Sequence, residues 1–182
     1  LAQGRKNRYT VEKGQGSVSV MGRIDKENYY LDIAETVAER STCLRRCYGA
    51  IIVKSDEIIA TGYNGAPRGR KNCVDLDYCA REAMKIPSGE RYELCRSVHA
   101  EANAIISAAR SETIGATLYM ACKDPATGEL ISGSTSCSMC RRFIINAGIS
   151  RVVIRETRRE YSVVHVEDWV REDDSVSGAP RT

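Results

Sequence analysis

The chain has 182 residues, of which 42% are hydrophobic and 28% are charged, and it contains eight Cys, two His and one Trp. This length suits one domain with a hydrophobic core of its own, and the apolar fraction excludes a disordered chain. No run reaches the roughly 18 apolar residues of a membrane span, so we expect no membrane partner. The polar, Gly-rich opening does not resemble a secretory signal, and we expect a cytoplasmic protein.

The formal net charge of +3 is concentrated at the start of the chain. Residues 1–20 contain four basic side chains and one acidic side chain, and the remaining 162 residues contain 23 of each. A nucleic-acid-binding domain carries its basic excess on the folded part, so we expect no nucleic-acid partner. We predict a flexible extension over 1–20, one domain over 21–170 and a flexible tail over 171–182.

The first predicted elements are a helix and a hairpin. Residues 25–38 place apolar side chains at helical spacing along one stripe. Two β-branched runs, 49–53 and 58–61, are joined by a polar turn, which is typical of a β-hairpin. A Gly- and Pro-rich loop over 62–69 leads into residues 70–97, which show weak periodicity and need an additional constraint to stay ordered.

The second half of the chain alternates helices and strands. We predict a helix over 99–110, a strand over 117–122, a polar loop over 124–136, a helix over 137–147 that Gly148 ends, and strands over 151–155 and 163–166. Residues 124–134 of the loop are either plain surface or a lid near the site. The alternation predicts an α/β fold in which helices cover a mixed sheet.

A His-Ala-Glu triplet and a later Cys-x-x-Cys carry the chemistry. His99, Cys137 and Cys140 stand at predicted helix starts, where three N/S ligands leave one position of a tetrahedral zinc open to water. Glu101 lies on the same first turn as His99, within reach of that water as a general base. The alternatives are a structural zinc knuckle or redox pair for the two cysteines, and an ordinary core residue for the histidine.

His-x-Glu followed by Cys-x-x-Cys is the signature of zinc deaminases. The sequence resembles the deoxycytidylate (dCMP) deaminase family within the cytidine deaminase-like superfamily, from Met21 to about Tyr161. The matching stretches are STCLRRCYGAIIVK, IIATGYNGAPRG, ELCRSVHAEANAIISAAR, GATLY, CSMC and IINAGI. One departure is Ser136, which stands where the signature has Pro; we expect a small effect because Ser also suits a helix start.

The resemblance implies a three-layer fold with zinc at helix N-termini, and it implies roles for individual residues. Zinc would be held by His99, Cys137 and Cys140, with Glu101 as the proton shuttle. The Ala100 backbone would bind the pyrimidine carbonyl, Asn64 the sugar or base, and Arg110 the substrate phosphate at a subunit contact. The alternatives are a turn residue for Asn64 and a solvated helix-end cation for Arg110.

The resemblance also implies regulation by deoxynucleoside triphosphates. In regulated members the Gly-Tyr-Asn-Gly loop forms part of the effector site, which would involve Tyr63, Gly65 and Arg68 here. A Gly-rich loop with an arginine suits a triphosphate. We therefore expect activation by dCTP with Mg²⁺ and inhibition by dTTP.

Four further cysteines form a second group, Cys43, Cys73, Cys79 and Cys95. Some family members carry a structural zinc at matching places, and four thiolates would close a tetrahedral site and order residues 70–97. The alternative is that they are small buried hydrophobic residues. Cys47 could replace Cys43 in this group.

The reaction predicted from this resemblance is the hydrolysis of dCMP to dUMP and ammonia by a cytosolic zinc enzyme, assembled as a homo-oligomer, a hexamer. The alternatives are another deaminase of the same fold, acting on tRNA adenosine, a free base or a nucleoside, and a non-catalytic zinc module. The binding module would not explain Glu101 or an open three-ligand site.

Overall fold

A computed structural model describes residues 10–17, 22–87 and 89–172. The strands are β1 (Val11–Gln15), β2 (Cys47–Lys54), β3 (Glu57–Tyr63), β4 (Thr117–Lys123), β5 (Arg151–Arg155) and β6 (Glu160–His165). The helices are α1 (Lys26–Ala38), α2 (Cys73–Leu76), α3 (Ala80–Ala83), α4 (Ala100–Ile106), α5 (Arg110–Thr113), α6 (Ser138–Ala147) and α7 (Val166–Arg171), with a 3₁₀ turn at Tyr92–Leu94.

The six strands form one mixed sheet in the order β1-β6-β5-β4-β2-β3. Only β4 and β5 pair in parallel among these strands; the other pairs are antiparallel. A parallel pair needs a crossover connection, and α6 provides it between β4 and β5. The prediction of a mixed sheet in an α/β fold is confirmed.

Helices cover both faces of the sheet and make three layers. On one face, α1 packs Leu31 and Ala34 against Ile51 and other side chains of the central strands. On the other face, α4, α6 and α7 pack against Ile52, Leu118 and their neighbours. Consecutive strand residues point to opposite faces, which is why Ile51 and Ile52 belong to different clusters. The face covered by α4 and α6 is the one that carries the site.

Helix α1 begins as its sequence predicts, because the carboxylate of Asp25 accepts a hydrogen bond from the backbone N–H of Asn28 at 3.0 Å. Its close approach to the sheet depends on Gly49 of β2. A Cβ at Gly49 would overlap the backbone of Ala34 and Ala38. Helix and strand therefore pack backbone to backbone here.

The expectation of a flexible extension over 1–20 is wrong for its described middle part. Val11–Gln15 form β1, which pairs with β6 at the edge of the sheet, with Val11 opposite Val164. A short edge strand need not be apolar, because one side of it faces solvent, so its sequence gives little signal. Residues 1–9 and 18–20 of the predicted extension, and 173–182 of the predicted tail, lie outside the described residues.

Two predicted boundaries also differ. The helix predicted over 99–110 ends at Ile106, and Arg110 begins the separate α5. Ser107 contributes to this end, since its hydroxyl bonds to the carbonyl of Asn103 at 2.8 Å and competes with the helix ladder. The strand predicted over 163–166 is β6, which ends at His165, and helix α7 follows it unpredicted.

None of the helices in the described parts of the chain combines the length and the apolar character that crossing a bilayer requires.

Candidate metal centre and active site

Two helix N-termini bring three predicted ligands to one point. His99 is the N-cap of α4, Cys137 is the N-cap of α6, and Cys140 lies one turn later in α6. The Nδ1 atom of His99 is 3.4 Å from the Sγ atoms of both Cys137 and Cys140. Within the described ranges, these three residues are the only group whose metal-ligating atoms all lie within 4.8 Å of one another.

The donor set fits zinc. One imidazole nitrogen and two thiolate sulfurs are ligands that zinc prefers, and three protein ligands leave a fourth position for water or substrate. Each helix N-terminus also adds positive potential, which favours thiolates. His99, Cys137 and Cys140 are therefore the residues that would hold the ion.

Cys137 and His99 influence each other's pKa in the metal-free protein. The hydrogen bond from Cys140 and the contact with His99 together lower the pKa of Cys137 to about 4, although burial opposes them. Burial lowers the pKa of His99, but the neighbouring side chains of Cys137 and Cys95 outweigh burial and raise it to about 10. Without a metal the pair is a thiolate and an imidazolium, so metal binding must release the proton of His99.

Glu101 is buried beside this centre, with 4% of its surface exposed. Burial raises the pKa of its carboxyl group, and the positive charge of His99 opposes that rise. A carboxyl group with a raised pKa holds a proton more readily, which suits a group that takes a proton and returns it. The hydroxyl of Ser136, itself buried, opposes this rise in the pKa of Glu101 as well. The residue that replaces the signature Pro thus influences the predicted proton shuttle, a role that the sequence did not suggest.

Gly62 and the loop after β3 set the position of α4. A Cβ at Gly62 would overlap the carbonyl of Ala100 and the backbone of Ala104, so only glycine allows α4 to lie this close to β3. Gly65 and Val98 exchange two backbone hydrogen bonds of 3.1 and 2.8 Å. These two hydrogen bonds therefore hold the residue before His99 against the loop that follows β3.

A cavity of about 450 Å³ opens at the centre and is lined by His99, Glu101 and Cys137. Ala100 and Asn64, both predicted to bind substrate, also line it. Ala100 is the first residue of α4, where a backbone N–H has no acceptor inside the helix. This volume suits a small-molecule ligand.

The side chain of Asn64 is largely occupied within the protein. Its Oδ1 accepts hydrogen bonds from Ser41 at 2.6 Å and from the backbone N–H of Tyr48 at 2.8 Å. Its Nδ2 donates to the carbonyl of Arg46 at 2.8 Å. Asn64 therefore holds the 41–48 segment in place, and one amide N–H remains for a ligand.

Arginines on one wall of the cavity were not singled out by the sequence. Arg45, Arg46 and Arg96 line it, and the Nη1 atom of Arg45 is buried with no hydrogen-bond partner in the described part of the chain. A buried guanidinium nitrogen without a partner is costly unless a ligand pairs with it. The two consecutive arginines in STCLRRC are the sequence feature that could have indicated this basic side of the cavity.

The remaining predicted contacts lie away from this cavity. Arg110 is exposed at the start of α5, and Tyr63 and Arg68 are exposed in and after β3; Gly65 is buried in the loop. None of these four residues lines the cavity in the described structure. Contacts of this chain with substrate through Arg110, or with an effector through the loop, stay predictions.

The second group of cysteines surrounds the same cavity but does not converge. Cys43, Cys73, Cys79 and Cys95 all line it. No three of these thiols come within 4.8 Å of one another in the described residues. The second zinc therefore stays a prediction. Cys122 is fully buried in β4, as expected for a packing residue.

A buried carboxylate beside an open His/Cys/Cys centre, at two helix ends over a mixed sheet, defines a zinc-dependent deaminase type of site. A family profile described as the cytidine and deoxycytidylate deaminase zinc-binding region matches residues 24–156. The chain belongs to this family.

Individual proteins that are similar to this chain belong to the same family. The deoxycytidylate deaminase of Mycobacterium phage D29 is 38% identical over 138 residues, which cover 73% of this chain and 96% of the relative. That of Schizosaccharomyces pombe is 33% identical over 127 residues, 70% of this chain but only 36% of the relative. The apo crystal structure of dCMP deaminase from cyanophage S-TIM5 has 28% identity and a TM-score of 0.50, covering 72% of this chain and 82% of that one.

Proposed function

We propose that this protein hydrolyses dCMP to dUMP and ammonia. The observation that carries the proposal is the buried Glu101 beside the His99, Cys137 and Cys140 cluster, in a cavity with a guanidinium wall. A zinc ion held by these three residues would supply an activated water at neutral pH. Relatives named deoxycytidylate deaminase support dCMP as the substrate.

Glu101 performs the proton transfers in this proposal. Its carboxylate takes a proton from the attacking water as the oxygen bonds to C4, and delivers it to N3 of the pyrimidine. A second proton passes from the added hydroxyl through Glu101 to the amino group, the C4–N bond breaks, and ammonia leaves. The raised pKa of Glu101 suits both directions of transfer.

We propose Arg45 as a contact for the 5′-phosphate. Its buried Nη1 has no hydrogen-bond partner among the residues that the structure describes, while its Nε lies 3.4 Å from Glu82. Arg46 is paired with Asp124 at 3.6 Å, and Arg96 donates to the carbonyl of Lys71 at 2.8 Å. Of these three arginines, only Arg45 has a buried nitrogen without a hydrogen-bond partner among the described residues. A guanidinium fork pairs well with a phosphate group.

Ammonia release from dCMP, deoxycytidine and cytosine by the zinc-loaded protein tests the activity. We expect turnover of dCMP, weak turnover of deoxycytidine and none of cytosine. Glu101→Gln should retain zinc and lose activity by about 10²–10⁴-fold, the usual contribution of a general acid–base group. The exposed Glu57→Gln variant is the control and should keep full activity. Zinc binding without turnover of any substrate would refute the proposal and favour a non-catalytic module or another substrate.

Arg45→Met tests the phosphate contact. We expect KM for dCMP to rise by about tenfold or more, because a charge-assisted hydrogen bond contributes roughly 1.5–3 kcal/mol. Activity on deoxycytidine, which has no phosphate, should stay the same. An equal loss on both substrates would contradict this role and indicate a structural one.

We further propose a homo-oligomer, a hexamer, in the cytoplasm. Because Arg110 is exposed and lies outside the cavity of its own chain, a contact with the substrate phosphate requires a neighbouring subunit. Light scattering after size exclusion measures the assembly. A monomer with full activity would exclude the role of Arg110.

Regulation by triphosphates is a separate proposal, supported by the exposed Arg68 in the loop that binds the chain before His99. The dependence of rate on dCMP concentration, measured with and without dCTP or dTTP and Mg²⁺, tests it. We expect activation by dCTP and inhibition by dTTP. A rate unchanged by either would exclude it.

A further inference from the structure

Tyr92 packs against the ring of the predicted metal ligand His99. The two ring centroids are 4.8 Å apart and the rings are perpendicular. This edge-to-face arrangement is favourable for aromatic pairs. Tyr92 is half-buried and comes from the 3₁₀ turn in the 70–97 segment, so a residue remote from the sheet restrains the ring.

Arg81 holds Tyr92 in turn. Its guanidinium carbon lies 4.3 Å from the centroid of the Tyr92 ring, within the range of a cation–π interaction. The Nη2 atom of Arg81 donates to the carbonyls of Pro87 and Glu90, both at 2.7 Å. Arg81 is buried, with 5% of its surface exposed. Its position is therefore fixed by two carbonyls of the backbone that leads into the turn.

Cys95 completes the contacts around the ring. Cys95 directly follows the turn that carries Tyr92 and lines the same cavity as His99, and the nearby imidazole of His99 lowers the pKa of its thiol. Since Nδ1 of His99 faces Cys137 and Cys140, the ring is contacted by two thiols on one side and by the 70–97 segment elsewhere. A metal-bound histidine normally needs such outer contacts to keep its orientation.

We propose that Arg81 and Tyr92 are positioning residues that fix the His99 ring for metal binding, and that this is one function of the 70–97 segment. The inference rests on the metal centre of the proposed function but not on the identity of the substrate. The alternative is that Tyr92, which also lines the cavity, contacts substrate directly.

The experiment compares zinc release from Tyr92→Leu and wild-type protein, followed by the absorbance of a chelator in excess. We expect release from Tyr92→Leu to be about tenfold faster, since losing an outer contact of a metal ligand typically costs 10–100-fold in affinity or activity. We expect kcat to fall by a similar factor while KM for dCMP changes less than about threefold. Tyr92→Phe keeps the ring and should restore slow release.

Matched controls come from the same segment. Tyr78 is 52% exposed, and Tyr78→Leu removes a tyrosine without touching the centre. Arg91 pairs only with Glu93 among the described residues, so Arg91→Met is the control for Arg81→Met. Both controls should release zinc at the wild-type rate, while Arg81→Met should release it faster.

The outcomes separate the alternatives. A raised KM with unchanged zinc release would overturn the proposal and make Tyr92 a substrate contact. Unchanged zinc release and kcat in both Tyr92→Leu and Arg81→Met would overturn it as well. Zinc release requires no turnover, so a failure of the dCMP assay leaves this test intact. If circular dichroism shows that Tyr92→Leu is unfolded, Arg81→Lys decides by the same release measurement, since it keeps the charge but not the donor geometry.

Discussion

The metal centre and the cysteine-rich segment (residues 70–97) both carry cysteines around one cavity, yet they are built differently. At the metal centre, the ligands occupy N-cap and first-turn positions of α4 and α6, and both helices pack on the sheet. The cysteine-rich segment contains two four-residue helices and a 3₁₀ turn. The geometry of one helix turn places Cys137 and Cys140 next to each other. The positions of the cysteines in residues 70–97 depend instead on the path of an irregular segment.

The backbone of the cysteine-rich segment is also strained. Asp77, Lys85 and Arg91 have positive φ angles of 46°, 55° and 48° without being glycine. Each such residue costs on the order of 1 kcal/mol and persists only where its surroundings hold it. The side chains of Arg81 and Arg96 donate hydrogen bonds to backbone carbonyls and help to keep this backbone conformation. The comparison shows that individual side-chain hydrogen bonds hold the cysteine-rich segment in its conformation, whereas packing of α4 and α6 on the sheet holds the metal centre.

Cys140→Ser tests the metal centre most severely. Cys140 is fully buried and is one of the three predicted ligands, so we expect the variant to hold one zinc ion fewer than the wild-type chain. Turnover should disappear, since the activated water that this ion would supply is lost. Metal analysis and ammonia release measure both. Cys47→Ser removes a half-buried thiol outside the cluster and should keep its zinc. Zinc retained in full by Cys140→Ser would show that Cys140 is not a ligand.

Counting zinc decides whether the cysteine-rich segment binds a metal. If it does, the wild-type chain holds two zinc ions and Cys79→Ser holds one, with a lower Tm, because metal binding contributes directly to folding free energy. If Cys43 and the three cysteines of the segment are packing residues, both proteins hold one zinc. Metal analysis after gel filtration, with Tm by circular dichroism, provides the measurement. One zinc in the wild-type protein ends the hypothesis of the second site.

Gly62→Ala tests how closely α4 must approach the sheet. The added Cβ overlaps the Ala100 carbonyl, so we expect a loss of about 2–3 kcal/mol of unfolding free energy, within the range for overpacking. Gly69→Ala, in open space at φ +82°, should lose only about 1–2 kcal/mol from backbone strain. Urea unfolding of the zinc-loaded proteins gives both values. Equal losses would mean that close packing at Gly62 is not what positions α4.

The smallest expected effect concerns Glu156, which anchors the loop before α6. Its carboxylate accepts hydrogen bonds from Ser132, Gly133 and Ser162, each at 2.6 Å. Burial raises the pKa of Glu156, but these bonds outweigh burial and lower it below its usual value. Its stabilising contribution is therefore present above the unfolded pKa of about 4.3 and is lost as the pH falls through the folded pKa.

Glu156→Gln should reduce unfolding free energy by about 1 kcal/mol at pH 7, the net value of a typical hydrogen bond, and by less at pH 3. Urea unfolding at several pH values measures this difference. Glu57→Gln, at an exposed position, serves as the control. A difference that does not shrink toward pH 3 would show that the charge of Glu156 is not the stabilising feature.

Local patterns in the sequence predicted most of what depends on neighbouring residues. The stripe of α1, the hairpin of β2 and β3 and the start of α6 at the Cys-x-x-Cys all follow from short spacings. The ligand residues and Glu101 were found for the same reason, since metal and proton chemistry demand particular residue types at particular spacings. β1 and α7 were missed because one is a polar edge strand and the other is a single short helix.

Contacts between distant residues had to come from the tertiary structure. The folding of the loops over the sheet decides the contact of Tyr92 with His99 and the internal hydrogen bonds of Asn64. It also leaves Nη1 of Arg45 at the cavity without a hydrogen-bond partner in the described part of the chain. No periodicity encodes such contacts, because they join residues far apart in the chain through irregular segments. The sequence by itself therefore determined the family and the chemistry of the centre, while packing over the sheet decided which side chains surround it.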